Sequence, residues 1–189
     1  MDSQTQQGQA TATLTRWNID PAHSEIGFAA KHMMISNVRG RFSDVAGFID
    51  FDESDPELAK MDVEVGVSSV DTRQEPRDKH LRSADFFDAE NHPSMKFVST
   101  KVDHVKGNEY KVTGDLTIRG TTNPVTLDAT FEGAHPDPWG GIRAGFTASG
   151  KINRHEFGMT WNSAIEAGGV VVGPEIKIQL EVEAVKQAQ

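Results

Sequence analysis

The sequence predicts an all-β fold: a closed barrel of roughly eight antiparallel strands with one or two short helices. Three observations carry this. Several segments alternate apolar and polar residues with a period of two, turns containing glycine or proline separate them, and one stretch, Arg77 to Asp88, has helical spacing instead. Many antiparallel strands leave exposed edges, and closing the sheet on itself removes them. An eight-stranded barrel is either filled by side chains or just wide enough for one small ligand.

Order is expected from Trp17. Residues 1–16 form a polar leader rich in Gln and Thr, and residues 17–186 read as one barrel domain. Trp17, Ile19, Ile26 and Phe28 flank a turn at Asp20-Pro21-Ala22-His23. Lys31 to Asn37 is too mixed for a strand and reads as a helical turn or short helix. Phe42 to Phe51 reads as a strand closed by the acidic turn Asp52 to Pro56. Met61, Val63, Val65 and Val67 alternate with Asp62, Glu64 and Gly66.

The period then changes. Thr72 and Glu75 have capping-box spacing, and Pro76 suits the first helical position. His80, Leu81 and Ala84 share one helix face, with Arg77 one turn earlier. Pro93 ends this excursion. Strands resume at Met95–Val102, Tyr110–Ile118, Val125–Phe131, Ile142–Arg154 and Ile176–Val185, with turn signals at Lys106-Gly107-Asn108 and Asn123-Pro124.

Composition narrows the function classes. The net charge of −9 produces a field that repels phosphate backbones, so nucleic acid is not the expected partner. No run approaches the roughly 18–20 apolar residues needed to span a bilayer. With no cysteine there is no disulfide, thiolate metal site or Cys nucleophile. The leader has no apolar core of a signal peptide, which on this reading places the chain in the cytoplasm.

Catalytic signatures are scarce. There is no glycine-rich phosphate loop, no Gly-x-Ser-x-Gly elbow and no His-Glu-x-x-His motif. His23 and Ser24, adjacent on a strand, point to opposite faces and make a poor nucleophilic pair. His23, His32, His80 and His92 would form a metal site only if the fold gathered them. No catalytic residue, metal or cofactor is predicted.

Two basic islands stand out in an acidic chain. Residues 31–41 hold Lys31, Arg39 and Arg41 among Met33, Met34, Ile35 and Val38; residues 73–82 hold Arg73, Arg77, Lys79 and Arg82. Basic residues beside apolar ones suit a ligand with an anionic head and an apolar tail, while the plainer reading is ion pairs worth about 0–1 kcal/mol each. Met33, Met34, Phe86 and Phe87 could line a cavity or fill a core.

Several blocks together resemble the YceI-like family of lipocalin-like polyisoprenoid-binding proteins. They are Trp17-Asn18-Ile19-Asp20-Pro21-Ala22-His23-Ser24, Ser69-Val70-Asp71-Thr72, Arg77-Asp78-Lys79-His80-Leu81, and Phe86-Phe87-Asp88 followed by His92-Pro93. Gly114 to Gly120 and Ile152 to Gly158 continue the match, in order, to about Val185. The resemblance implies a lipocalin-like eight-stranded barrel whose apolar tunnel holds a long isoprenoid lipid, of quinone or prenyl-phosphate type, without catalysis. It also implies a homodimer as one assembly. Many members are periplasmic behind a signal peptide, from which this chain departs. On this basis Phe28, Met33, Phe42, Phe48, Leu81, Phe86, Phe87 and Phe157 are the expected tunnel lining. His32, Arg39, Arg77 and His80 are the expected polar mouth. The rival readings are a hydrolase or isomerase acting on a lipid-like substrate, with His80 or His32 as acid–base group, and a filled barrel serving as a stress-response interaction module.

Overall fold

A computed structural model of the chain describes residues 14–166 and 168–188, so most of the expected leader lies outside the described residues. The strands are β1 (Thr15–Ile19), β2 (Glu25–His32), β3 (Ser36–Phe42), β4 (Val45–Phe51), β5 (Lys60–Gly66), β6 (Val70–Asp71), β7 (Ser94–Lys106), β8 (Glu109–Ile118), β9 (Thr121–Pro136), β10 (Ile142–Asn153) and β11 (Val172–Lys186). The helix α1 (Glu75–Arg82) lies between β6 and β7. β1 and β2 are one strand bent at a short 3-10 turn, Pro21–His23, where Asp20 accepts the Ala22 N–H at 3.0 Å. β3 and β4 form a second bent strand, and β6 is a two-residue addition, which leaves eight barrel strands.

The ring closes because β1 pairs with β4 on one side and β11 on the other. At the opposite end of the molecule β2 continues along β11, but β3 leaves β5 and pairs only with β2 and the short β6. That end is where α1 lies. The Arg82 guanidinium donates to the carbonyls of Ser68 and Val70 at 3.1 and 3.2 Å and fastens the helix to β6.

Three expectations about local structure are corrected. Lys31 to Asn37 is the tip of the β2–β3 hairpin, not a helical turn: His32 pairs with Ser36, and the turn is closed by the Ile35 N–H donating to the His32 carbonyl at 3.1 Å. The side-chain sequence hides this because Met33 and Met34 occupy left-handed backbone, with φ of 48° and 62°, where Asn or Gly is usual. The turn expected at Asn123-Pro124 lies at Arg119-Gly120, both at positive φ. Pro124 is tolerated inside β9 because β10 pairs with β9 only from Asp128 onward, so one flank of residue 124 needs no N–H. The Thr72–Glu75 capping box does not form: the Thr72 hydroxyl and N–H both donate to Asp78.

The inward residues fall into two clusters along the barrel axis. One holds Trp17, Ile49, Phe51, Val102, Val112, Phe131, Ala144 and Ala184, with Tyr110 and Phe146 against it. The other holds Phe42, Val65, Val70, Met95, Ile118, Val125, Leu127 and Met159, with Phe28, Leu81, Phe87 and Leu180 against it. Phe97 and Val182 touch both and mark the boundary.

Candidate apolar binding site

The two clusters differ in how completely they fill the barrel. In the first, Phe51 sits 5.0 Å from Phe131, 5.8 Å from Phe146 and 6.1 Å from Tyr110, centroid to centroid, and these rings plug the bore. In the second, mostly aliphatic side chains surround a cavity of about 200 Å³. Of the 25 residues around it only Lys96 and Arg154 are charged, so its lining suits an apolar occupant. Lys96 itself reaches Asp62 at 3.1 Å.

One glycine shapes the wall. Gly40 faces inward opposite Phe28, and a Cβ there would lie 2.4 Å from the Phe28 ring. Phe28 therefore lies flat across β3 and leaves the cavity free. A larger trough of about 570 Å³ runs along strand faces with Glu25, Glu109, Asp128 and Glu181 in its walls. Those carboxylates make it unsuited to an apolar ligand.

The covering of the cavity is built from α1 and the chain around it. Leu81, Phe86 and Phe87 reach the cavity, and Phe87 meets Phe42 edge to face at 5.6 Å. The segment after α1 is folded back tightly: the Phe87 N–H donates to the Leu81 carbonyl and the Ala89 N–H to that of Arg82. Arg77 is part of this structure. Its guanidinium donates to the Thr72 hydroxyl and carbonyl, both at 2.7 Å, and Thr72 in turn donates to buried Asp78.

Arg154 is the second support. It is 2% exposed and, among the described residues, pairs with no carboxylate. Its guanidinium donates to the carbonyls of Gly173 at 3.0 Å, Trp161 at 2.9 Å, Val172 at 3.1 Å, and Met159. Burial lowers its pKa from the ordinary arginine value, and the four carbonyl dipoles replace the water it has lost. It thereby holds the start of β11 and the chain at 159–161 against the cavity. Trp161, so placed, stacks edge-on against His80 at 4.7 Å and tilted against Phe86 at 5.4 Å.

The expected site residues divide by position. Phe28, Phe42, Leu81, Phe86 and Phe87 border the cavity. Phe157 is buried in the same cluster but is not in the cavity wall. Phe48 points outward, beneath the Arg16 guanidinium at 3.7 Å, because its neighbour Ile49 takes the inward position. Met33 is at the hairpin tip, His32 at the end of β2, and Arg39 on the outer wall of β3. His80 hydrogen-bonds Asp85 through Nε2 at 2.8 Å at the rim.

Residues the sequence reading did not select include Leu127, Ile178, Leu180 and Met159, all around the cavity. Leu127, Ile178 and Leu180 alternate with polar neighbours in the sequence, whereas no pattern marks Met159.

The four histidines do not converge. Among the described residues the one group of three ligand-type side chains is Asp20, His23 and Glu183. There Arg143 already supplies the cation, donating to Asp20 at 2.6 Å and to Glu183 and Asp137. This guanidinium, with His23 second, holds the Asp20 carboxyl down at about 2. No helix is long and apolar enough to cross a membrane among the described residues.

The model of the YceI-like domain family matches residues 17–184. A UPF0312 protein of Staphylococcus epidermidis is 40% identical over 171 residues, which cover 90% of this chain and 97% of the relative. The Campylobacter jejuni YCEI protein has a crystal structure that aligns with a TM-score of 0.72 at 37% identity, over 84% of this chain and 90% of that one. A polyisoprenoid binding domain from Saccharophagus degradans shares the fold, with a TM-score of 0.65 at 12% identity over 92% of this chain and 99% of that one. The eight-stranded closed antiparallel barrel of this chain, with one α-helix among the described residues, is the fold that aligns with both structures. The chain belongs to the YceI-like domain family.

Proposed function

We propose that this protein binds a long-chain polyisoprenoid lipid, of isoprenoid quinone or prenyl-phosphate type, and carries or stores it without catalysing a reaction. The observation that carries the reading is the apolar cavity in one half of a closed barrel, with Leu81, Phe86 and Phe87 over it. The structural neighbour described as a polyisoprenoid binding domain supports the ligand class.

The cavity is smaller than the ~300–1,000 Å³ of ordinary ligand pockets. A long chain therefore enters by displacing side chains, and Met95, Met159 and the two phenylalanines of the cover are the adaptable ones. A chain of about 40 heavy atoms at roughly 0.3 kcal/mol per atom has a ceiling near 12 kcal/mol, from which the opening cost is subtracted. Most of that comes from the tail, so binding tolerates different head groups. The enzyme alternative has less support, because His80 is engaged with Asp85 and two aromatic rings, outside the cavity wall.

Organic extraction of the purified protein, followed by lipid identification and native mass spectrometry, tests the reading. One prenyl lipid per chain is expected. Protein that is empty on purification and also takes up no prenyl alcohol or quinone in a displacement assay would contradict it.

A further inference from the structure

We infer that the β2–β3 hairpin tip is a docking element for the surface of an anionic lipid bilayer. The inference concerns a surface, and only its purpose, loading and unloading the cavity, rests on the function proposed above.

Three consecutive apolar side chains stand at the tip: Met33, Met34 and Ile35, with 40%, 55% and 80% of their surface exposed. Isolated exposed apolar residues need no explanation, but a contiguous group at a protruding turn does. The backbone sharpens the point. Met33 and Met34 both hold positive φ, a conformation for which glycine or asparagine is the economical choice. Two methionines give up that economy, and the turn gains two flexible apolar side chains directed to solvent. Met34 extends the apolar surface toward the neighbouring loop, since both it and Ile165 flank Gly169.

Charge beside the tip selects the occupant. Ile26, Phe28 and Ala30 of β2 line the cavity, so the alternate residue Lys31 points outward. Arg39 lies opposite Ala29 on β3, and Lys177 opposite Ala29 on β11, so all three cations share the outer wall next to the tip. Among the described residues none of the three has an ion-pair partner. The carboxylates nearest in register are already engaged: Glu25 and Asp71 flank Arg41, and Glu175 pairs with Lys151. In a chain of net charge −9, cations without an ion-pair partner beside an exposed apolar turn match an anionic headgroup layer over an acyl boundary. The remaining structure fits this orientation. Ala30 and Val172 line the cavity, His32 pairs with Val172, and the Met33 N–H donates to the Val171 carbonyl at 2.9 Å. The tip is thus continuous with the hollow end of the barrel.

The opposite end provides an internal control. Trp139, 83% exposed, tops the β9–β10 hairpin at the other end of β11, about 45 Å along the strand at roughly 3.3 Å per residue. Its loop is organised by Asp137, which accepts the N–H groups of Trp139 and Gly141, and it lies by the plugged half.

Cosedimentation of the full chain with vesicles of phosphatidylglycerol and phosphatidylcholine, compared with phosphatidylcholine alone, tests the inference. At about fivefold per cation, three cations give a preference on the order of a hundredfold for the anionic vesicles, weakened by salt. Ile35→Asp should reduce binding by roughly thirtyfold or more through loss of apolar burial. Lys31→Glu should erode the anionic preference, and Trp139→Ala should change nothing. Equal sedimentation with both vesicles, no effect of Ile35→Asp, or loss on Trp139→Ala would each overturn the inference. So would a dimer that dissociates on Ile35→Asp while the wild type ignores vesicles, since a second copy would then cover the tip. Uptake of a prenyl alcohol from solution by Ile35→Asp, read by native mass spectrometry, reports on the cavity alone and separates failure of the docking surface from failure of the proposed function.

Discussion

The same long strands build both halves of the barrel, yet one half is plugged and the other is hollow. β9 places Phe131 in the first and Leu127 in the second; β11 places Ala184 in the first and Leu180 in the second. In the plugged half, small residues such as Ala144 and Ala184 make room for the large rings of Phe51, Phe131 and Phe146. In the hollow half, aliphatic residues make up most of the wall, and Phe28, Phe42 and Phe87 pack ring against ring around the cavity rather than across it. Large paired with small fills a bore, whereas a mostly aliphatic wall leaves one. The plugged end therefore leaves no room for a ligand, and the capacity to hold an apolar one lies at the other end.

Substitutions should separate the two roles. The largest effect is expected for Phe51→Ala, which removes three ring contacts in the plug and should cost about 3–5 kcal/mol in urea unfolding. Apolar ligand uptake by the fraction that remains folded should be unchanged. Arg154→Met comes next: it leaves four carbonyls without their donor and should cost about 2–4 kcal/mol. Amide exchange should rise in residues 158–173 before it rises in β8 or β9. Leu180→Ala, at the cavity wall, should cost only about 2 kcal/mol, because this side chain already lacks neighbours on one side. A cost equal to that of Phe51→Ala would erase the distinction between the halves.

Two smaller effects refine the comparison. Gly40→Ala forces the Phe28 ring off β3, and apolar ligand binding should fall about tenfold while the melting temperature moves little. The smallest effect belongs to the Asp20–Arg143 contact at the end of β1. Asp20 is held at about 2, below its unfolded value. Its stabilisation is therefore present above about pH 4 and lost as pH falls toward 2. Acid unfolding of Asp20→Asn should lack that contribution, and wild-type and variant curves should converge near pH 2.

Much of this architecture was legible in the residues. The period-two segments of β5, β9 and β11 stand in the sequence as they do in the barrel, and the helix was visible where the period broke. The β2–β3 hairpin was not, because Met33 and Met34 take a backbone conformation that their side chains do not signal. Arg77 resembled a ligand-facing cation and is instead bonded to Thr72, five residues back, a contact that depends on how α1 begins. Arg154 lies within the Ile152–Gly158 block that carries the family resemblance, but its role is not legible there for a different reason. Its partners are backbone carbonyls at 159, 161, 172 and 173, and carbonyls carry no sequence identity. The plug was also hidden: phenylalanines occur in both halves, and only register decides which of them meet.

A cavity-filling pair tests the central claim most directly. Leu127→Trp fills the hollow half, whereas Val112→Leu adds bulk to the plugged half. Native mass spectrometry of both folded variants after incubation with a long prenyl alcohol should show a one-to-one complex for Val112→Leu and none for Leu127→Trp. An undiminished complex with Leu127→Trp would contradict the account, because the lipid would then be bound somewhere other than the hollow half.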